Sequence, residues 1–364
     1  MIPMVDLKRQ YLGLKEEIDQ AIADVLQGCQ FILGPQVVEL EQEVATYHGL
    51  PYAIGVANGT DALLLALRAL GIGRGDEVIT TPFTFFATAE VIAQLGAIPV
   101  FADISLPTFN IDPALIEKKI TKRTRAIIPV HLFGHPAEMK EIMAIAKRYD
   151  LKVVEDCAQS FGALYQGKKT GSIGHIGCFS FFPSKNLAGY GDGGMITTAD
   201  EELAKRIRSL RNHGSERRYY HSDIGYNSRL DEIQAAIIRV KLKRIDQFNE
   251  SRRLCARLYR EYIKRPDIVL PGELADCTHV YHQFTLLSPG RDNLMRVLAD
   301  HQCSSAIYYP IPLHRQEVFQ GGAIGKEGLS ISERCAAQVL SLPIFPELKR
   351  EEIEMISHVI NHAA

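Results

Sequence analysis

The sequence predicts an α/β fold of two domains, with a large domain built on a mixed, mostly parallel sheet flanked by helices and a smaller C-terminal α/β domain. Three observations carry this. Short β-rich runs alternate with helical patterns from about residue 50 to 200, which is the signature of strands joined by helical crossovers. The 364-residue length exceeds one small core. The texture also changes after about residue 245, where Pro266, Pro271-Gly272 and Pro289-Gly290 punctuate the chain.

The strands are read in order at Tyr52-Ala-Ile-Gly-Val, Glu77-Val-Ile-Thr-Thr, Pro99-Val-Phe-Ala, Arg125-Ala-Ile-Ile-Pro-Val and Lys152-Val-Val-Glu-Asp. Helical patterns lie between them at 61–70, 88–95 and 137–149, with Gly71 and Gly96 as stops. Ile176-Gly-Cys-Phe-Ser-Phe-Phe and Gly194-Met-Ile-Thr-Thr add two strands joined by a tight loop, which makes the sheet mixed. Long helices are expected from Leu230 to about Tyr262. The boundaries that follow are 1–245 for the large domain and 246–364 for the small one, with an amphipathic helix at 14–27 packing on the small domain.

Composition narrows the function. Hydrophobic residues make up 46% and charged residues 23%, an ordinary globular balance. Forty-one Lys and Arg against 43 Asp and Glu give a net charge of -2, so no broad basic field favours nucleic acid or a membrane, and an anion must be gripped locally. Neither a signal-peptide core nor a membrane-length apolar run is visible, so the expected location is the cytoplasm. The seven cysteines are scattered without a Cys-x-x-Cys pair and read as buried free thiols. His131 and His135 are four apart, but Phe133-Gly134 and Pro136 break the helix a metal pair needs, so no metal is expected.

Three elements carry chemistry. Lys185 follows the apolar run Phe179-Ser-Phe-Phe-Pro and precedes Gly189-Tyr-Gly-Asp-Gly-Gly194. Apolar surroundings disfavour an ammonium, and a neutral amine is the nucleophile that forms a Schiff base. Asp156 stands at the C-terminal end of a strand, the edge where ligands bind in open α/β sheets. A carboxylate there can hold a pyridine nitrogen protonated, which makes the ring an electron sink. Val56-Ala-Asn-Gly-Thr-Asp-Ala lies between a strand and a helix, where the amides of Gly59 and Thr60 and the Thr60 hydroxyl can bind phosphate. Singly, Lys185 reads more readily as a surface lysine and the Gly59 segment as an ordinary capped turn, while Asp156 reads equally as a helix cap. Their order within one α/β unit joins them.

The chain resembles the DegT/StrS family of nucleotide-sugar aminotransferases, which are fold-type I pyridoxal-phosphate enzymes, along nearly its whole length. The motifs are Phe31-Ile-Leu-Gly-Pro, Ala57-Asn-Gly-Thr-Asp-Ala, Thr81-Pro-Phe-Thr-Phe-Phe-Ala-Thr, Glu155-Asp-Cys-Ala-Gln-Ser, Phe179-Ser-Phe-Phe-Pro-Ser-Lys-Asn-Leu, Gly191-Asp-Gly-Gly, Arg211-Asn-His-Gly and Gly225-Tyr-Asn-Ser-Arg-Leu. The resemblance implies pyridoxal 5'-phosphate as cofactor, with Lys185 as its Schiff-base lysine and Asp156 on the pyridine nitrogen. It implies Gln159 near the ring hydroxyl, Phe85 stacked on the ring, and Gly59, Thr60 and Ser180 on the phosphate. Asn227 is implied to reach the neighbour's phosphate across a homodimer.

The implied reaction is ping-pong transamination from glutamate to a ketone on a nucleotide-linked sugar. The Arg217-Arg-Tyr-Tyr-His run and Tyr309-Pro-Ile-Pro-Leu-His-Arg-Gln are most similar to enzymes that aminate UDP-2-acetamido-2-deoxy-3-oxo-glucuronate for bacterial surface polysaccharide, although those relatives have His at Tyr308 and Asn at His314. Arg229, Tyr309 and His314 are the candidate sugar-binding residues, Arg229 by forking onto a C6 carboxylate. A dTDP-keto-deoxyhexose is the alternative substrate. A related dehydratase subgroup has His in place of Lys185, and a non-catalytic cofactor-binding regulator is the remaining alternative.

Overall fold

Asn58 ends one strand and begins a helix. Its Oδ1 accepts the Asp61 amide at 2.8 Å, so strand β1 (Tyr52–Val56) gives way at once to α3 (Gly59–Ala69). Two helices precede them, α1 (Leu7–Gly28) and α2 (Pro35–His48). The computed structural model describes residues 1–320 and 329–363.

The alternation continues through β2 (Glu77–Thr80), α4 (Ala87–Gln94), β3 (Ile98–Phe101), β4 (Thr124–Ile128) and β5 (Lys152–Asp156). A seven-stranded sheet results, in the order β1, Gly194–Thr198, Ile176–Ser180, β5, β4, β2, β3. Only Gly194–Thr198 runs against the others, pairing antiparallel with both neighbours. The sheet is therefore mixed but mostly parallel, as the sequence predicts. Its strands are apolar runs because helices cover them, and α3 buries Leu63, Leu64, Leu65 and Leu67 against them. Gly71 and Gly96 end their helices at φ +80° and +72°.

A second core gathers Tyr259, Phe284, Leu298, Leu342, Phe345 and Ile356. It surrounds the antiparallel pair Phe284–Leu287 and Val339–Leu342 with helices Ile245–Tyr262, Arg291–Asp300 and Arg350–His362. Ile2 also belongs to this core, held by its amide on the Gln302 carbonyl at 2.8 Å.

Three features depart from the sequence reading. The N-terminal helix starts at Leu7, capped by Asp6, which accepts the Arg9 amide at 3.0 Å. Its Leu14 and Ile18 pack on Ile237 and Val240 of the 1–245 segment and also on Phe248, and Arg9 forms a bidentate pair with Glu352, so the helix touches both segments. The loop at 181–193 is not tight: it folds back on itself, with Lys185 and Gly189 amides on the Phe182 and Phe181 carbonyls. Among the cysteines, Cys29 is exposed and Cys277 half-buried, while the other five are buried.

His131 and His135 flank a 3₁₀ turn and are fully engaged: His131 lies between Glu155 and the Ala137 amide, and His135 between the Pro136 carbonyl and the Leu274 amide. Each imidazole is thus spent on holding backbone or the buried Glu155. No helix among the described residues is long and apolar enough to cross a membrane.

Candidate active site

Because β1, β5 and Ile176–Ser180 end on the same side, the residues that follow them converge. They line a cavity of about 530 Å³ that holds Gly59, Thr60, Phe85, Asp156, Gln159, Ser180, Lys185 and Tyr309 together. His282, Gln283, Tyr308 and Tyr309, from the second half of the chain, complete the wall.

Lys185 is half-buried in that wall. Burial pushes its ammonium down to about 8, and the Asp156 carboxylate opposes the shift. Asp156 sits at the end of β5, and burial raises its carboxyl above the usual range. Two donors work against this rise, the Thr88 hydroxyl on Oδ2 at 2.8 Å and the Ala158 amide on Oδ1 at 3.1 Å. Gln159 is fixed at both ends: Oε1 accepts the Phe133 amide at 2.6 Å, and Nε2 donates to the Tyr309 hydroxyl at 3.1 Å. Phe85 stands at the mouth, 58% exposed, with its ring tilted 45° to that of Tyr309.

The phosphate cradle is testable on the backbone itself. A Cβ added at Gly59 would lie 2.6 Å from Ser180 Cβ, so only glycine leaves the groove between them open. The first-turn amides of Gly59 and Thr60 have no intrahelical acceptor and stand at the positive end of α3. An anion cradle, a buried carboxylate and a depressed amine on one cavity fit pyridoxal phosphate.

Three predicted residues do not line this cavity. Asn227 is exposed, and Arg229 donates to Asn212 Oδ1 at 3.1 Å. His314 turns away because Leu313, beside it, is buried against Phe101 and Phe319; its Nε2 meets Glu333 at 2.9 Å. Sequence reasoning missed Thr88, His282 and Asp192, and noted Tyr308 only as a departure from relatives. Thr88 lay within a recognised motif, but only the fold brings it to Asp156.

The model of the DegT/DnrJ/EryC1/StrS aminotransferase family matches residues 13–361. The chain is 50% identical to the UDP-N-acetyl-3-dehydro-alpha-D-glucosamine 3-aminotransferase of Acidithiobacillus ferrooxidans, covering 99% of this chain and 97% of the relative. It is 46% identical to the UDP-2-acetamido-2-deoxy-3-oxo-D-glucuronate aminotransferase of Pseudomonas aeruginosa, covering 98% of each. It is also 48% identical, over the full length of both, to a protein of Geobacillus stearothermophilus called a pleiotropic regulatory protein. Among solved structures, S. venezuelae DesV in complex with a ketimine intermediate superposes with a TM-score of 0.96 at 42% identity, covering 99% of this chain and 97% of that one.

Proposed function

The chain belongs to the DegT/DnrJ/EryC1/StrS aminotransferase family, and from that premise we propose that it moves an amino group from glutamate to C3 of a UDP-linked 2-acetamido-2-deoxy-3-oxo sugar. It is a pyridoxal-phosphate-dependent nucleotide-sugar aminotransferase. The observation that carries the site assignment is the meeting of Lys185, Asp156 and the Gly59–Ser180 groove on one cavity.

When bound, pyridoxal phosphate supplies the electron sink for a carbanion at the carbon that carries the transferred nitrogen. In this reading Gly59, Thr60 and Ser180 would hold its phosphate, Asp156 would pair with its ring nitrogen, Phe85 would pack on its ring and Gln159 would meet its ring hydroxyl. Lys185 would anchor it, and the free Lys185 amine would move the proton at the substrate carbon. An amine depressed to about 8 is free base often enough near neutrality to do so.

Asn227 and Arg229 act on the partner's cavity in a homodimer, a reading supported by their position outside their own. Tyr309 is the sugar contact within the subunit, whereas His314, held on Glu333 outside the cavity, is not a contact of its own subunit's sugar. The first substrate is the 3-oxo-glucuronate, made for bacterial surface polysaccharide in the cytoplasm. A second reading, the C6-uncharged 3-dehydro-glucosamine, is favoured by one observation: Lys185 is the only Lys or Arg in the described cavity wall.

The deciding measurement is kcat/KM for the uronate over its uncharged counterpart, in wild type and in Arg229→Lys. Loss of a bidentate, charge-assisted contact should lower that ratio about tenfold. An unchanged ratio removes Arg229 from carboxylate recognition, and a wild-type preference for the uncharged sugar selects the second reading.

A further inference from the structure

His282 lies in the cavity wall but belongs to the second half of the chain. The residue is 6% exposed, and its Nδ1 is 3.2 Å from Oδ1 of Asn186, the residue after Lys185. The protonation of that contact follows from its neighbours. The Phe161 carbonyl can only accept, so the Asn249 amide nitrogen that reaches it at 3.0 Å leaves Asn249 Oδ1 as an acceptor. Asn186 Nδ2 donates to that oxygen at 2.8 Å and to the Val280 carbonyl at 3.0 Å. Asn186 must therefore present its oxygen to His282. Nδ1 carries the proton, and in the neutral ring Nε2 carries a lone pair.

The ring stays neutral. Burial holds the imidazolium well below its ordinary value, and the charges that face it, Lys185 from its loop and Arg252 from helix Ile245–Tyr262, lower it further, as does His279 on its own segment. The backbone is fixed as well. Arg252 donates to the carbonyls of Tyr281 and His282 at 3.2 and 3.3 Å. Gly134, at φ +97°, lets this segment approach so closely that a Cβ there would lie 3.0 Å from the His282 amide nitrogen. Nε2 has no protein partner among the described residues.

We propose that His282 is a positioning residue for Lys185: through Asn186 it fixes the backbone beside that lysine, and its lone-pair Nε2 is the acceptor for the Lys185 N–H once the amine is free. This rests on the reading of Lys185 as the cofactor-carrying amine. A neutral acceptor suits the task, because a cation would repel the ammonium and a carboxylate would hold it protonated.

The first test needs no variant. In the cofactor-free protein labelled with ¹⁵N at histidine, His282 should show a protonated Nδ1 and an unprotonated Nε2 from pH 6 to 9. The opposite tautomer, or a doubly protonated ring at pH 7, would overturn the proposal. The second reads the Lys185 pKa from the shift of ¹³Cε-labelled lysine. In His282→Phe it should fall, because the ammonium loses its acceptor, and the glutamate half-reaction should slow by about tenfold to a hundredfold, the size of one hydrogen bond to a charged group. A pKa and a rate both unchanged within about twofold would sink it. Lys185→Ala separates the two readings: a borohydride-reducible linkage that survives in this variant refutes the lysine assignment, whereas the histidine tautomer is read independently.

Discussion

Thr88 Oγ1 donates to Asp156 Oδ2 at 2.8 Å, on a carboxyl that burial pushes toward its neutral form. The bond ties the first turn of α4 to the end of β5 behind the cavity wall. It favours the charged form of Asp156, the form that can hold a ring nitrogen protonated.

Thr88→Val should therefore raise the Asp156 pKa further. The acid limb of the glutamate half-reaction moves to higher pH, and the rate at neutral pH falls about tenfold, while Thr88→Ser stays near wild type. Asp156→Asn should keep the cofactor and lose turnover by several orders of magnitude, since an amide cannot stabilise the ring proton. Stopped-flow half-reaction rates across pH check both, and near-normal rates in Asp156→Asn would exclude the electron-sink role.

Lys185→Ala should abolish the borohydride-reducible linkage and the yellow colour of the purified protein. Stability gives a second readout in the cofactor-free state. The folded amine sits near 8 against 10.5 unfolded, so between these values the unfolded chain binds more protons and stability rises with pH. Below that window the buried ammonium imposes its full penalty. Thermal melts of wild type and Lys185→Met should thus converge as pH rises from about 8 to about 10.5. Parallel curves would contradict a desolvated amine.

Gly59→Ala forces a methyl against Ser180. It should cost about 1 to 3 kcal/mol by overpacking and weaken cofactor binding at least about tenfold, because the phosphate amides are displaced. Adding Ser180→Gly should recover melting temperature without recovering affinity, since the hydroxyl is lost. Recovery of both would mean that Ser180 does not touch the phosphate.

Asn227 is exposed and does not line its own cavity, so a shared site predicts complementation. Mixing inactive Lys185→Ala with an impaired Asn227→Ala chain should restore part of the activity once subunits exchange. Hybrids that form, shown by mass, but stay inactive would argue against a composite site.

The sequence by itself determined the sheet, the cofactor floor and the chemistry. β-branched runs fixed the strands, Gly71 and Gly96 fixed helix ends, and Asp156 ends a strand while Lys185 and Gly59 follow one, each with a direction its own segment encodes. These are local relations, set by periodicity and by backbone freedom within a few residues. Helix α2 was missed although Pro35 at its start and Gly49 at its end are local signals; what the sequence hides is its cap, the Glu232 carboxylate on the Gln36 and Val37 amides, 196 and 195 residues away. Which residues of the site wall touch one another was hidden by the same remoteness. Tyr309 reaches Gln159 across 150 residues and His282 reaches Asn186 across 96, whereas His314, only a short step beyond Tyr309, is pulled aside by the burial of Leu313. A side chain's direction there depends on which neighbour is buried when two distant segments pack, and only the tertiary structure decides that.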